Sequence, residues 1–361
     1  LVRRGLRRYT GVIERFVGDN IDAMIGSAVG GGSIVYGSVL LPVPRALWAS
    51  VFPAEIAFDD MESQWYPRVR EVLPAAPIPA DILASPTYEA ARIFGDHATR
   101  AGLDVEMLSV AVDWDLVRAE IAGDLPAEAT AGDYVYGLNS GAKVSIDRTY
   151  LAAAEATGLC DLRPLSNVVS LASTAGGGFR VECDRIAEDG TVIEHVTYLA
   201  PVLVMAAGSV HTTRLLTEAR GRGAMPALPS EIGERWGQNG QHVFVRGSLA
   251  ENTGAYQGGP PCLAIRDLEN PVAPVLVEYG SAAWGFESRS LICPASSIPD
   301  GFGAFRHDPS LDRAVLEWDP AMKTSARAAA LAVGDALNAA SGGTNDILPG
   351  RSREATFHPL G

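Results

Sequence analysis

The sequence predicts an α/β fold combined with a second domain built on a mostly antiparallel sheet. The chain has 361 residues, more than one hydrophobic core usually holds, so two domains are expected. Residues 201–209 (PVLVMAAGS) form an apolar run that ends in a glycine turn before a helical pattern. Such a run is typical of a buried parallel strand that feeds a helix. Residues 241–318 alternate short strand patterns with proline, glycine and aspartate turns, which predicts the antiparallel sheet.

The composition indicates an ordinary globular protein and excludes several function classes. Hydrophobic residues make up 47% and charged residues 20% of the chain. The net charge of −14 argues against nucleic-acid binding, which requires a basic surface. The four cysteines are far apart and lack histidines at ligand spacing, so we expect no metal site. No apolar run approaches the roughly 18 residues of a membrane-spanning helix, so we expect no transmembrane segment.

A glycine-rich stretch, residues 26–38 (GSAVGGGSIVYGS), is where we expect a ligand to bind. Its four closely spaced glycines are followed by a serine: Gly26, Gly30, Gly31, Gly32 and Ser33. Glycine adopts positive φ and lets the backbone approach a ligand, and consecutive N–H groups in such a turn bind anions. The stretch therefore predicts a phosphate-binding loop, although an ordinary turn is an equally good interpretation of these residues alone.

The remaining periodic segments are assigned along the chain. Helices are predicted over residues 54–73, 88–101, 146–157, 210–220 and 324–340. Strands are predicted over residues 9–17, 162–171, 178–185 and 191–198, with Asp189-Gly190 as a hairpin turn. Ser145 is expected to cap the helix that follows it. Residues 103–143 lack a clear period and are predicted to be loops that cover a pocket.

Five segments, in this order, carry a resemblance to a known family. They are VGGGSIVYGS (29–38), YGLNSGAKVSIDRTYLAAAEATG (136–158), AAGSVHTTRLL (206–216), PVLVEYG (274–280) and HPLG (358–361). Together they resemble the glucose-methanol-choline (GMC) family of FAD oxidoreductases, and within it the cholesterol oxidase branch of bacteria. The likeness covers essentially the whole chain from about residue 10.

The resemblance implies a discontinuous architecture. A Rossmann-like, FAD-binding α/β domain would comprise residues 1–45 and 145–240. An inserted substrate domain of α+β character would comprise residues 46–144 and 241–357. Residues 358–361 would begin the segment that returns to the FAD domain.

The same resemblance implies which residues contact FAD. The glycine loop would lie along the cofactor, Tyr36 and Gly37 would approach its isoalloxazine ring, and Val168 would meet its adenine end. The complete set of implied contacts is Gly30, Gly31, Gly32, Ser33, Tyr36, Gly37, Val39, Val168 and Gly208.

Catalysis would involve two side chains, again by resemblance. Glu278 would act as a base and, in a sterol oxidase, shift the ring double bond, while His358 would hydrogen-bond the substrate hydroxyl. FAD would accept the hydride. Judged without the family, Glu278 is more typical of a glutamate that faces solvent on an edge strand, and His358 is more typical of a loop histidine.

Several departures from the family pattern bear on the flavin environment. The early G-x-G-x-x-G fingerprint and the acidic residue for the ribose are absent from the sequence, and we expect them upstream of Leu1. Tyr36 stands where cholesterol oxidases have asparagine, and Val39 where they have methionine. A closing segment with another asparagine is expected beyond Gly361.

The resulting functional hypothesis is FAD-dependent oxidation of a sterol 3-hydroxyl to a ketone, with oxygen as acceptor and with double-bond isomerisation. The expected partners are a sterol or other bulky apolar alcohol and molecular oxygen, with transient contact to a membrane surface left open. Two alternatives remain. One is a dehydrogenase for another bulky alcohol with a different acceptor, which Tyr36 favours. The other is a non-catalytic lipid-binding protein or degenerate fragment.

Overall fold

The computed structural model describes residues 10–347 and 354–360 of the chain. Its helices are α1 (Arg45–Val51), α2 (Phe58–Asp60), α3 (Tyr66–Val72), α4 (Ala80–Leu83), α5 (Glu89–Arg100), α6 (Trp114–Ala122), α7 (Tyr150–Ala156), α8 (Gly208–Gly221) and α9 (Thr324–Ser341). Its first strands are β1 (Ile13–Val17), β2 (Ile21–Gly26), β3 (Val105–Met107), β4 (Ser166–Ser173), β5 (Phe179–Ile186), β6 (Val192–Ala200), β7 (Gly237–Gln238) and β8 (His242–Gly247). The later strands are β9 (Leu263–Asp267), β10 (Val275–Glu278), β11 (Leu291–Ser297), β12 (Ala304–Asp308), β13 (Arg313–Glu317), β14 (Thr344–Ile347), β15 (Glu354–Thr356) and β16 (Pro359–Leu360).

A six-stranded sheet in the order β14-β8-β11-β10-β9-β3 dominates the structure. Every neighbouring pair in it is antiparallel, which confirms the strands predicted for residues 242–297. Helices α5 and α9 pack on one face, and the shared core includes Phe244, Val277, Phe94 and Val333. Because strand residues alternate between faces, Leu276 and Glu278 lie on the face opposite the one that carries Val275 and Val277.

A second group of elements surrounds the start of the chain. Strands β1 and β2 form an antiparallel hairpin, and β15 pairs with β2 in parallel. Helix α8 and the β12–β13 hairpin complete this group, whose buried residues include Ile21, Val210, Trp236, Phe305 and Leu316. The sequence pattern placed β13 with the strands of the large sheet, and this was wrong. The alternating apolar residues of β13 pack on Trp236 and Phe305 instead.

The predicted parallel strand at residues 201–209 does not form, so that prediction was wrong. Residues 201–207 contain no strand, and Val202 and Val204 are 72% and 80% exposed. Leu203 and Met205 pack against the core formed with Leu171 and Leu215, but among the described residues no neighbouring strand supplies the backbone partners that a strand requires. The described residues form a mixed fold of helices and antiparallel sheets, with one parallel pair, β2–β15, and no Rossmann-type parallel sheet among them.

Other local predictions have mixed outcomes. The three-stranded sheet β4-β5-β6 and its Asp189-Gly190 turn are confirmed, with Gly190 at φ 83°. The helix expected over residues 54–73 consists of α2 and α3 joined by the π-helical turn Met61–Trp65. Ser145 caps no helix because its hydroxyl contacts the carboxylate of Asp147. Residues 103–143 contain α6 and β3 in addition to loops.

The helices were also compared with the dimensions of a lipid bilayer. Within residues 10–347 and 354–360, none of them is both long and apolar enough to cross it.

Two valine substitutions test the corrected assignment of residues 201–209. Val277→Ala should lower the free energy of unfolding by about 1–3 kcal/mol because a fully buried side chain leaves a cavity. Val204→Ala, the matched control at an exposed position, should change it by less than about 0.5 kcal/mol. Urea denaturation of both variants measures the difference. Equal losses would show that residues 201–207 are buried in this chain.

Candidate active site

The glycine loop begins directly at the end of β2 and folds back against it. A Cβ on Gly26 would lie 2.8 Å from both the Gly31 carbonyl oxygen and the Gly32 Cα. Gly30 and Gly31 have φ of 94° and 58°, a backbone region that side chains with a Cβ disfavour. The loop then continues into the short 3₁₀ helix Gly31–Ile34. Glycine is therefore required here both for close packing and for the backbone conformation.

Some of the predicted cofactor residues present open backbone surface. A Cβ on Gly31, Gly32 or Gly208 would meet no atom within 4 Å. Gly208 begins α8, with φ of 74°. Ser33 differs, because its hydroxyl donates to the Gly30 carbonyl at 2.7 Å and accepts from the Ile146 amide at 2.8 Å. The glycines thus fit a closely approaching cofactor such as FAD, whereas the Ser33 side chain ties the loop to the protein.

The residues after the loop lie between the glycine turn and the large core. The Tyr36 hydroxyl donates to the Val144 carbonyl at 2.5 Å, and burial raises the Tyr36 pKa. A Cβ on Gly37 would lie 3.6 Å from Pro261 and 3.9 Å from the Tyr134 ring. Val39 pairs with Val110 in an isolated antiparallel β-bridge, and its side chain packs against the main hydrophobic core.

Lys143 is a buried cation under this loop that sequence reasoning missed. Its ammonium group donates to the carbonyls of Ile34 at 2.8 Å and Tyr36 at 2.9 Å, and also to that of Tyr134. Burial removes water from the ammonium group and thereby lowers the Lys143 pKa to about 7. The three carbonyl oxygens replace that water as hydrogen-bond acceptors. The sequence feature that could have drawn attention to Lys143 is the rarity of lysine, since the chain has only two lysines.

Glu278 lies at the end of β10, opposite Ala264 of β9. Burial raises the pKa of its carboxyl group to about 7. Burial, and secondarily the charge of Glu278, raises the pKa of Tyr134. Because the Tyr134 ring also adjoins Gly37, this tyrosine connects the carboxyl group to the end of the glycine loop.

His358 lies between β15 and β16 and is linked to the large sheet through Asn239. Its Nδ1 is 3.2 Å from Nδ2 of Asn239, which is 2.9 Å from the Ser296 hydroxyl. Ser296 is directly opposite Leu276 in the sheet, so it shares a face with Glu278. Ser296 and Glu278 are diagonal neighbours on adjacent strands, and residues in this relation are about 7–8 Å apart. His358 is exposed as a whole residue, but desolvation of its ring by the surrounding protein lowers its pKa, which favours the neutral imidazole.

The backbone around His358 is held by a polar cluster that the sequence pattern did not reveal. The Gln241 side-chain oxygen accepts from the Phe357 amide at 2.6 Å. The Glu354 carboxylate pairs with Lys323 and Arg327. These contacts join β15 to the start of α9 and to the segment before β8.

Val168 lies apart from this site. It occupies a β-bulge of β4 in the three-stranded sheet and packs in a separate core with Leu171 and Leu215. Its connection to the glycine region runs through α8, which contacts β4 and begins at Gly208. The structure therefore links Glu278 to Gly37 through Tyr134, and it links His358 to the sheet face of Glu278 through Asn239 and Ser296. Val168 lies elsewhere.

Comparison with known proteins yields matches to one group of enzymes. Residues 239–347 match the family model described as GMC oxidoreductase, C-terminal. Two relatives, both named cholesterol oxidase, come from Mycobacterium tuberculosis strains CDC 1551 / Oshkosh and ATCC 25618 / H37Rv. Each is 25% identical over 251 residues, which cover 64% of this chain and 42% of the relative.

Residues 239–347 are therefore similar to the C-terminal part of GMC oxidoreductases, and the similarity to cholesterol oxidase is distant. The chain spans less than half the length of the curated relatives that it matches. The family match covers the central strands of the large sheet and α9, and therefore Glu278 but not His358.

Substitution of Gly26 tests the tight packing of the glycine loop. Gly26→Ala should lower the free energy of unfolding by about 1–3 kcal/mol because its Cβ would overlap loop backbone that cannot rotate away. Gly11→Ala is the matched control, since its Cβ has no neighbour closer than 3.8 Å. Chemical denaturation measures both changes, and equal stabilities for the two variants would contradict this packing.

Substitution of Lys143 tests its role under the loop. Lys143→Met should lower the free energy of unfolding by about 2 kcal/mol or more because buried carbonyls lose their donor. Arg68→Met removes an exposed cation and should change it by less than about 0.5 kcal/mol. Thermal and urea unfolding report the difference. A Lys143→Met variant as stable as the control would exclude a structural role for these hydrogen bonds.

Proposed function

We propose that this protein is an FAD-dependent alcohol oxidoreductase that converts a hydroxyl group of a sterol, or of another bulky apolar alcohol, into a ketone. The observation that carries the proposal is that Glu278 shares a face of the large sheet with Ser296, to which Asn239 links His358. A carboxyl group and an imidazole in this arrangement are the groups that alcohol oxidation requires.

The cofactor assignment rests on the glycine backbone. Gly30, Gly31 and Gly32 form the turn along which FAD would lie, and Gly208 offers a second open surface at the start of α8. Lys143 would hold the turn in place from beneath. When bound, FAD would supply the acceptor for the hydride that leaves the substrate carbon.

The two side chains would divide the handling of the substrate hydroxyl. Glu278, with a pKa near 7, would take the hydroxyl proton in its ionised form. His358 would hydrogen-bond the hydroxyl oxygen and orient it. In a sterol, the same carboxylate could move a proton between ring carbons and so shift a double bond.

The chemistry of the sheet face favours a bulky apolar substrate. Leu276, Ile292 and Pro294 are half-buried and share this face with Glu278. An apolar ring system laid on these residues would remove their surface from water. We propose molecular oxygen as the final electron acceptor, in line with the cholesterol oxidase relatives.

The decisive experiment uses the full-length natural protein loaded with FAD. Glu278→Gln should lower kcat/KM for a 3β-hydroxysteroid by on the order of 10²- to 10⁴-fold, since the amide cannot accept the proton. In the wild type, kcat/KM should rise with pH through about 7, because the carboxylate that acts as base forms above the raised pKa of Glu278. Peroxide release and steroid oxidation measure both effects.

The control is Glu269→Gln, a change at an exposed glutamate in the turn after β9, which should leave kcat/KM unaltered. Full activity of the Glu278→Gln variant would refute the assigned base. Turnover with an artificial dye but not with oxygen would identify a dehydrogenase. Absence of turnover with every 3β-hydroxysteroid would reject the sterol assignment.

A further inference from the structure

Asn239 lies between the large sheet and His358, and three contacts fix its position. It follows β7, and its backbone carbonyl accepts from the Ser297 amide at 2.9 Å. Its side-chain Nδ2 is 2.9 Å from the Ser296 hydroxyl and 3.2 Å from Nδ1 of His358. The amide group therefore bridges β11 and the segment between β15 and β16. Asn239 is not one of the two side chains, Glu278 and His358, that handle the substrate hydroxyl in the proposed reaction.

The direction of the hydrogen bond determines which nitrogen of His358 carries the proton. The amide NH₂ group is a donor only, so Nδ1 of His358 must accept, and a neutral ring then carries its hydrogen on Nε2. Rotating the amide by 180° would leave both of its N–H groups without these acceptors. The observed orientation leaves one oxygen, Oδ1, buried without a partner among the described residues. Unpaired buried donors are rarer than unpaired acceptors, which favours the observed orientation.

The other side of the imidazole ring is available to a ligand. Within residues 10–347 and 354–360, no protein group forms a hydrogen bond with Nε2 of His358. The backbone amide of His358 donates to the Thr356 hydroxyl at 3.1 Å, which further restrains the residue. The lowered pKa of His358 agrees with a neutral ring near pH 7. An N–H donor on Nε2 would complement a carboxylate acceptor at Glu278.

We propose that Asn239 is a positioning residue that holds His358 as the neutral Nε2–H tautomer and thereby presents a hydrogen-bond donor to the substrate hydroxyl oxygen. The second half of this statement rests on the proposed function. The first half concerns the free chain alone, because it depends only on contacts among Asn239, Ser296 and His358. Asn239 acts through the histidine and does not touch the reacting atoms.

The test is nitrogen-15 NMR of histidine side chains in this chain, without cofactor or substrate. The chain has six histidines, and the signals lost in His358→Gln assign those of His358. In the wild type, we expect Nδ1 to be unprotonated and Nε2 protonated. In Asn239→Asp, a carboxylate acceptor faces Nδ1, so the Nδ1 resonance should shift to that of a protonated nitrogen. In Asn239→Leu, which offers neither donor nor acceptor, both tautomers should be populated.

A matched control is Gln64→Glu, an amide-to-acid change at an exposed helical position, which should leave the His358 signals unchanged. A protonated Nδ1 in the wild type would overturn the proposal, as would identical His358 spectra in the wild type and both Asn239 variants. If neither Asn239 variant folds, Ser296→Ala provides the comparison, since loss of the amide's second acceptor should broaden or shift the Nδ1 signal. An unchanged signal in that variant would also count against the proposal. Because these spectra require no turnover, their outcome is independent of whether the protein oxidises sterols.

Discussion

The two-sided burial of the six-stranded sheet is the constraint on which the candidate site depends. One face is sealed by α5 and α9, and its alternate residues, such as Val275 and Val277, are almost fully buried. Residues between them must therefore project to the other face, where Leu276 and Glu278 lie. A shift of one residue in register would exchange the two sets. The hydrophobic core thus determines on which side the carboxyl group is presented.

Loops from distant parts of the chain reach this face through buried polar contacts. Lys143 joins the glycine loop to the segment that contains Tyr134. Asn239 joins the segment of His358 to β11. In both cases one side chain satisfies several hydrogen-bonding groups at once, which compensates for the loss of water around them. The tethers bring together groups that are more than a hundred residues apart in sequence.

Local features of the fold followed from the sequence where local physics decides them. The alternating patterns of β8 to β11, the hairpin at Gly190 and the helical spacing of α5 and α9 were all predictable. The assignments that failed depended on distant partners. Among residues 10–347 and 354–360, no strand lies beside the apolar run that contains Val202 and Val204, and the apolar residues of β13 pack outside the large sheet. Ser145 has the chemistry of a helix cap, yet its hydroxyl contacts Asp147.

For the site, the sequence by itself determined the residue types and the glycine conformations: a carboxyl group, an imidazole and a turn that only glycine forms easily. Tertiary structure decided the raised pKa of Glu278 and the partners of His358. It also revealed Lys143 and Asn239, whose roles depend on surrounding groups and not on neighbours in sequence. Burial and long-range hydrogen bonding arise only when the chain is folded, because they depend on which segments displace water from one another.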